Sequence, residues 1–241
     1  MMRDNRIKQF TQLSHYLDSM PCTIHKAESV NITEYRTENK PISSVVFHNE
    51  TVVKTILRYA NPLALVFGSA KNPGGGVLRG STAQEEDIAL SSTWYFNVKD
   101  NIEFYGMIHP DLTYSDKMLY VPEAYMLNNE LGHSITPKKV AFIGGAAPNI
   151  NGMKSSGQII NEKRIYDILR DRIRGLLSFA ELNNHKTLIV GAWGCGVFGL
   201  DPEKVANIFK ECINDKLYSG LVVFSILDIN QYGLFKQIIK K

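Results

Sequence analysis

Five short apolar runs punctuate the chain and constrain it more than any other feature: Ser44–Phe47, Leu63–Phe67, Val140–Ile143, Thr187–Val190 and Leu221–Phe224. Each is bounded by turn-forming residues and lacks a polar alternation, which predicts central strands covered on both faces. The stretches between and after them carry a helical rhythm. From Asn161 to Leu182, apolar residues fall at Ile165, Ile168, Leu169, Ile173, Leu176, Leu177 and Ala180. Asp201 and Pro202 form an N-cap and first-turn pair for a helix running toward Cys212, with Val205, Ile208 and Phe209 inward. Strands alternating with helices demand crossovers, hence parallel pairing. The fold expected is therefore α/β: a three-layer α/β/α sandwich with a mostly parallel mixed sheet and an N-terminal helical extension over about the first 40 residues. The stretch Ile102–Leu131 is the least defined. No linker, repeat or charge block divides the 241 residues, so one domain over 1–241 is expected.

Composition narrows the function classes. With 44% hydrophobic and 21% charged residues the chain has the makeup of a packed globule, not of a disordered or low-complexity segment. A net charge of +3 gives no nucleic-acid-coating surface and no sequence-specific nucleic-acid partner, but leaves room for a local phosphate pocket. Cys22, Cys195 and Cys212 are odd in number and far apart, which argues against a disulfide framework or a zinc ribbon. Asp4, Arg6 and Lys8 interrupt the start where a signal peptide would be apolar. The segment Thr187–Leu200 is too short to span a bilayer and contains four glycines. A soluble, cytoplasmic protein without a membrane partner is expected.

In open α/β sheets ligands bind beyond the carboxyl ends of the strands. That directs attention to the loops after Phe67, Ile143 and Val190, all rich in glycine or small residues. Gly74, Gly75 and Gly76 can be a flexible turn or an anion nest of consecutive N–H groups. They do not form a Walker loop, since no Gly-Lys-Ser/Thr follows. Thr82 with Glu85, or Ser81 with Gln84, matches the capping-box pattern and marks a helix start. The acids Glu85, Glu86 and Asp87 then either complement the helix dipole or sit at the same rim as a bound phosphosugar. The third loop, Gly191–Gly199, is either a strand-to-helix turn with Trp193 and Phe198 in the core, or a second phosphate cradle with Phe198 as a platform. None of the six histidines lies near Cys195 in sequence, so it reads as a small residue and not as a nucleophile. No His/Asp/Glu cluster has metal-ligand spacing; neither a metal nor a cofactor is expected.

The run from Phe67 to Glu86 resembles the signature of microbial-type poly(ADP-ribose) glycohydrolases, a macrodomain-fold family: three glycines followed six to eight residues later by Gln-Glu-Glu, the gap here being seven. The similarity continues through Ser92–Tyr95 and Tyr114–Tyr120, and returns at Ala147–Asn149 and Gly191–Phe198. It departs at Leu200, where the family often has Asn before Asp-Pro. The resemblance implies a hydrolase that cuts the ribose–ribose O-glycosidic bond of poly(ADP-ribose) and releases ADP-ribose. It implies Glu86 as the catalytic acid, Glu85 orienting ribose hydroxyls and Gln84 supporting them. Gly74, Gly75 and Gly76, together with Gly194, Cys195, Gly196, Val197 and Phe198, would cradle the diphosphate, with Phe198 beside the adenosine portion, and Asn72 would add a ribose contact. Two other activities share these loops: a non-catalytic reader of ADP-ribose, and a hydrolase of mono-ADP-ribosylated macromolecules.

Adjacent helical residues diverge by about 100°, so Glu85 and Glu86 are not expected to face each other across a sugar as the paired carboxylates of ordinary glycosidases do. One acid, Glu86, would protonate the leaving oxygen while an oxocarbenium-like centre develops. Water would then attack, positioned by Glu86 or by the substrate's phosphates. The helix N-terminus opposes protonation of such an acid and burial favours it; burial is expected to win in the bound complex.

Overall fold

The computed structural model describes residues 2–19, 24–41 and 44–240. All five apolar runs are strands: β2 (Ser44–His48), β3 (Leu63–Phe67), the second half of β5 (Ser134–Gly145), β6 (Thr187–Val190) and β7 (Leu221–Ser225). Two strands join them, β1 (Glu28–Asn31) and β4 (Lys117–Asn128), giving a seven-stranded sheet of order β1-β4-β5-β3-β6-β7-β2. From β5 to β2 every pairing is parallel; β4 runs antiparallel to β5, and β1 antiparallel to β4. β1 corrects the expectation of a helical stretch over about the first 40 residues. Helix α1 covers Met2–Ser19, and the chain then adds an edge strand to the sheet.

β3 shows why three layers form. Side chains alternate across a strand. Leu63 and Leu65 enter one core with the buried faces of α7 (Glu162–Leu182) and α8 (Pro202–Asn214) and with Phe235 of α9 (Ile229–Lys240). Ala64 and Val66 enter the other, with α2 (Val52–Arg58), α3 (Gln84–Ser91) and α4 (Trp94–Val98). The remaining helices are short, α5 (Ile102–Tyr105) and α6 (Ile150–Ser155). Both longer helices are capped, α8 by the expected Asp201 and α7 by Asn161. Asn161 Oδ1 accepts Arg164 N at 3.1 Å, and Asp201 Oδ1 accepts Glu203 N at 2.9 Å with Pro202 next in the chain. Among the described residues no helix is long and apolar enough to cross a membrane. Cys22 lies outside the described residues.

Candidate active site

Because β5, β3 and β6 are parallel neighbours, the loops leaving their carboxyl ends share one rim. They touch there. Gly68 N donates to Gly145 O at 3.1 Å, linking the first two loops. A Cβ on Gly194 would lie 2.9 Å from the Cβ of Ala147, and one on Gly191 would lie 3.1 Å from the ring of Phe67. Asn151 fastens the third loop by donating its N–H to Phe198 O at 3.1 Å and its Nδ2 to Val197 O at 3.0 Å.

The N-terminus of α3 is brought to this rim by Gln84. Its Oε1 accepts Phe67 N at 2.9 Å and its Nε2 donates to Leu65 O at 2.8 Å, so the amide bridges the end of β3 as another strand residue would. Both ends of the amide are thus taken up by the backbone, and Gln84 acts here as a strut. The capping arrangement differs from either expected pair. Ala83 is the N-cap, with no side chain able to accept a hydrogen bond, and Glu86 reaches back instead: its Oε2 accepts Ala83 N at 3.0 Å. Its Oε1 accepts Gly76 N at 2.7 Å. Glu86 is therefore clamped at both oxygens. Ser81 and Thr82 are exposed and outside the helix.

Glu85 is equally buried and held by other donors. Ser69 N donates to its Oε2 at 2.7 Å, and Trp94 Nε1 to its Oε1 at 3.2 Å. Burial pushes its pKa up to about 8, against the lowering effect of these bonds and with the neighbouring Glu86 adding to the rise. A carboxyl at that value is largely protonated at neutral pH. The two side chains do not diverge as adjacent helical positions would suggest. A Cβ on Gly75 would stand 2.5 Å from Glu86 Oε1 and 3.1 Å from Glu85 Oε2, so both carboxyls converge on one point of the glycine loop. They lie side by side, not opposed.

The triple glycine serves the acids more than it forms an open nest. Gly75 N donates to Asn72 O at 2.9 Å, Gly76 N to Glu86, and Gly74 N also bonds Glu85. Positive φ at Gly74 (62°) and Gly75 (63°) makes this possible, and no side chain fits the space between loop and acids. Ser69 Oγ closes the turn ahead of it, accepting Lys71 N at 3.2 Å and Asn72 N at 3.0 Å, and leaves the Asn72 side chain exposed. Helix α1 braces the far side. Arg3 Nε donates to Arg79 O at 2.6 Å, Arg6 pairs with Asp87 at 2.9 Å, and Phe10 packs edge-on against Tyr95, the side chain that abuts Gly74.

The third loop is built in the opposite way. Its turns are closed by Cys195 N to Ala192 O, Gly199 N to Gly196 O and Leu200 N to Gly194 O. Among the described residues the N–H groups of Gly196, Val197 and Phe198 take no protein acceptor, and nothing stands within 4 Å of a Cβ placed on Gly196. Three free consecutive donors on an exposed loop can wrap an anion. Leu200, the departure from the family pattern, is buried and packs under Gly194, where a Cβ would meet its Cδ1 at 2.5 Å. Cys195 carries no activated thiol, since burial pushes its pKa up to about 12. Trp193 is core, its Nε1 donating to Gly145 O at 3.3 Å, and Phe198 is half-buried beside Tyr114. Among the described residues no group of three or more metal-ligating side chains occurs. Sequence reasoning assigned no role to Ser69 or Trp94, although both lie inside the runs that carry the family resemblance.

A mixed α/β/α sandwich with a clamped carboxylate beside an open backbone cradle at the carboxyl rim has the makeup of a macrodomain-like hydrolase of nucleotide sugars. The chain belongs to the microbial-type poly(ADP-ribose) glycohydrolase (PARG) family, whose catalytic-domain model matches residues 6–129, the part holding the glycine loop and both acids. Solved structures extend the likeness over the third loop. Poly(ADP-ribose) glycohydrolase from Thermomonospora curvata is 26% identical with a TM-score of 0.85, over 98% of this chain and 100% of that one. The same enzyme bound to the inhibitor ADP-HPD gives 26% identity and a TM-score of 0.83, over 98% and 99%. The enzyme from Deinococcus radiodurans in complex with ADP-ribose is 28% identical with a TM-score of 0.80, over 89% and 94%. No curated protein matches the chain.

Proposed function

We propose that Glu86 is the acid of this glycoside hydrolase, which acts on poly(ADP-ribose) and releases ADP-ribose. Two observations support the assignment: Glu86 stands at the second Glu of the family's Gln-Glu-Glu motif, and Gly76 N and Ala83 N fix both oxygens of its buried carboxyl at the rim where three loops meet. A group held from two sides needs little reorganisation at the moment of reaction. As the bond between the anomeric carbon and the neighbouring ribose oxygen breaks, its electron pair goes to that oxygen and Glu86 supplies the proton. Water then adds to the oxocarbenium-like carbon and gives its own proton to the Glu86 carboxylate or to a substrate phosphate. Side-by-side placement of the acids on Gly75 disfavours a two-sided mechanism, which needs carboxyls on opposite faces of the sugar.

Glu85 is the partner that stays protonated near neutrality, able to donate to a ribose oxygen while Ser69 N and Trp94 Nε1 hold it. The free N–H groups of Gly196, Val197 and Phe198 bind the diphosphate, with Gly194 and Cys195 shaping the turn beneath them. The solubility and cytoplasmic placement expected from the sequence belong to the same reading.

The test is hydrolysis of labelled polymer. The unaltered protein releases ADP-ribose, and Glu86→Gln loses turnover by about 10³-fold, within the range for removing a general acid, while binding ADP-ribose almost as tightly. Near-normal hydrolysis by Glu86→Gln rejects the role. Polymer held without release of ADP-ribose indicates a reader, and faster release from singly modified protein than from polymer indicates a mono-ADP-ribosyl hydrolase.

A further inference from the structure

We infer that Arg172, inside α7, is a positioning residue that fixes Tyr114 as an aromatic tie across the rim, and that this tie sets the affinity for the nucleotide part of the substrate. The inference rests on the hydrolase reading of the site.

Arg172 is only 1% exposed, and all three nitrogens of its guanidinium donate hydrogen bonds. Nε donates to Asp116 Oδ1 at 2.8 Å, Nη1 to Ala146 O at 3.0 Å, and Nη2 to Thr113 O at 2.8 Å and Tyr114 O at 3.4 Å. Packing alone does not explain such a group. An apolar side chain of similar size holds a helix to a sheet as well as a buried ion pair does, and without the cost of desolvating charge. The meaning lies in what the guanidinium grips. One arm takes the carbonyl of Ala146, in the second rim loop. The other takes two successive carbonyls of the segment before β4.

That segment ends in Tyr114, whose φ of 60° is a conformation aromatic residues rarely adopt. Asp111 stiffens the approach by accepting Thr113 N at 2.8 Å and pairing with Arg164 at 2.8 Å. Held so, the Tyr114 side chain reaches the second and third loops. Its ring lies 6.1 Å from that of Phe198 in the third loop, and Asn149 Nδ2 in the second donates to its hydroxyl at 3.4 Å. It also meets the ring of His109 edge-on at 5.3 Å. His109 in turn lies beside the backbone of Ala70 in the first loop. Its Nε2 is buried without a partner among the described residues, which leaves one polar atom on an otherwise aromatic wall. Flat rings bordering a phosphate cradle offer stacking surface to a nucleoside.

The experiment is calorimetric titration with ADP-ribose, together with kcat, KM and Tm, on the unaltered protein and four variants. Tyr114→Asn keeps a residue that tolerates the left-handed backbone but removes the ring. It weakens ADP-ribose binding about tenfold, the size of a lost base-stacking contact, and raises KM in proportion while kcat stays within about threefold. Tyr114→Phe retains the ring and binds within about threefold of the unaltered protein. Arg172→Met keeps the volume and loses the grip; it shifts KM in the same direction as Tyr114→Asn, and Arg172→Lys recovers part of that loss. Unchanged affinity in Tyr114→Asn overturns the inference whether or not Arg172→Met folds. Unchanged affinity in a folded Arg172→Met overturns the positioning role. If the unaltered protein itself does not bind ADP-ribose, the hydrolase reading fails and takes this inference with it.

Discussion

The first and third rim loops share a glycine-rich composition and an exit from neighbouring parallel strands, yet they are built for opposite purposes. In the first, the donors of Gly74, Gly75 and Gly76 are turned inward onto Glu85, Asn72 and Glu86. In the third, Gly196, Val197 and Phe198 keep theirs free. Glycine in the first loop permits a carboxyl to approach the backbone. In the third it permits a ligand to do so. The same residue type thus supports an assembled acid in one place and a waiting cradle in the other, and composition alone does not separate the two.

Three variants test this contrast, in order of falling effect. Gly75→Ala strikes the assembled loop. Its methyl would sit 2.5 Å from Glu86 Oε1, at a φ of 63° that alanine resists. Displacing the acid by about 1 Å is expected to cost about 100-fold in kcat, and Tm falls as well. Steady-state kinetics and thermal melting check both, and wild-type kcat in this variant breaks the idea that the loop sets the acid's place. Gly196→Ala strikes the open loop, where a methyl meets no protein atom. Tm is expected to hold, while the methyl crowds the anion and raises the dissociation constant for ADP-ribose about tenfold. A fall in Tm with unchanged affinity would reverse the assignment of the two loops.

The smallest effect concerns Glu85. Burial raises its pKa from 4.5 in the unfolded chain to about 8 in the folded one. Between those values the folded state binds more protons than the unfolded state, so stability falls as pH rises through that window. Below 4.5 both states are protonated and the penalty is absent; above about 8 it is complete. Glu85→Gln should flatten the decline in Tm between about pH 5 and about pH 9 relative to the unaltered protein. An identical decline in the variant would show that other groups govern it.

The apolar runs of four of the five strands read from sequence are mostly buried, because a continuous apolar run admits few other structures; β2, at the sheet edge, is only partly buried. Residues 63–67 and 221–224 are such cases. β1, with the sequence Glu-Ser-Val-Asn, carries no such signal and exists because β4 offers an edge to pair with. β4 itself was obscured by Pro122, which falls where its register with β5 shifts between Val121 and Ala124. The acids and the glycine loop could be read because they are close in sequence. The cap at Ala83 could not, since Ser81 and Thr82 offer better capping chemistry than alanine; the loop's demand on Glu86 decided the helix start instead.

The residue order by itself settled the layered sheet, the three glycine-rich exits on one rim and the acidic pair beside the first of them. These follow from periodicity, chain connectivity and short-range spacing. Only the folded molecule decided which backbone donors remain free, that both carboxyls turn toward Gly75, and that Arg172 grips a segment 58 residues earlier in the chain. Hydrogen-bond partners and the cost of burying charge depend on neighbours that meet only after the chain has closed on itself.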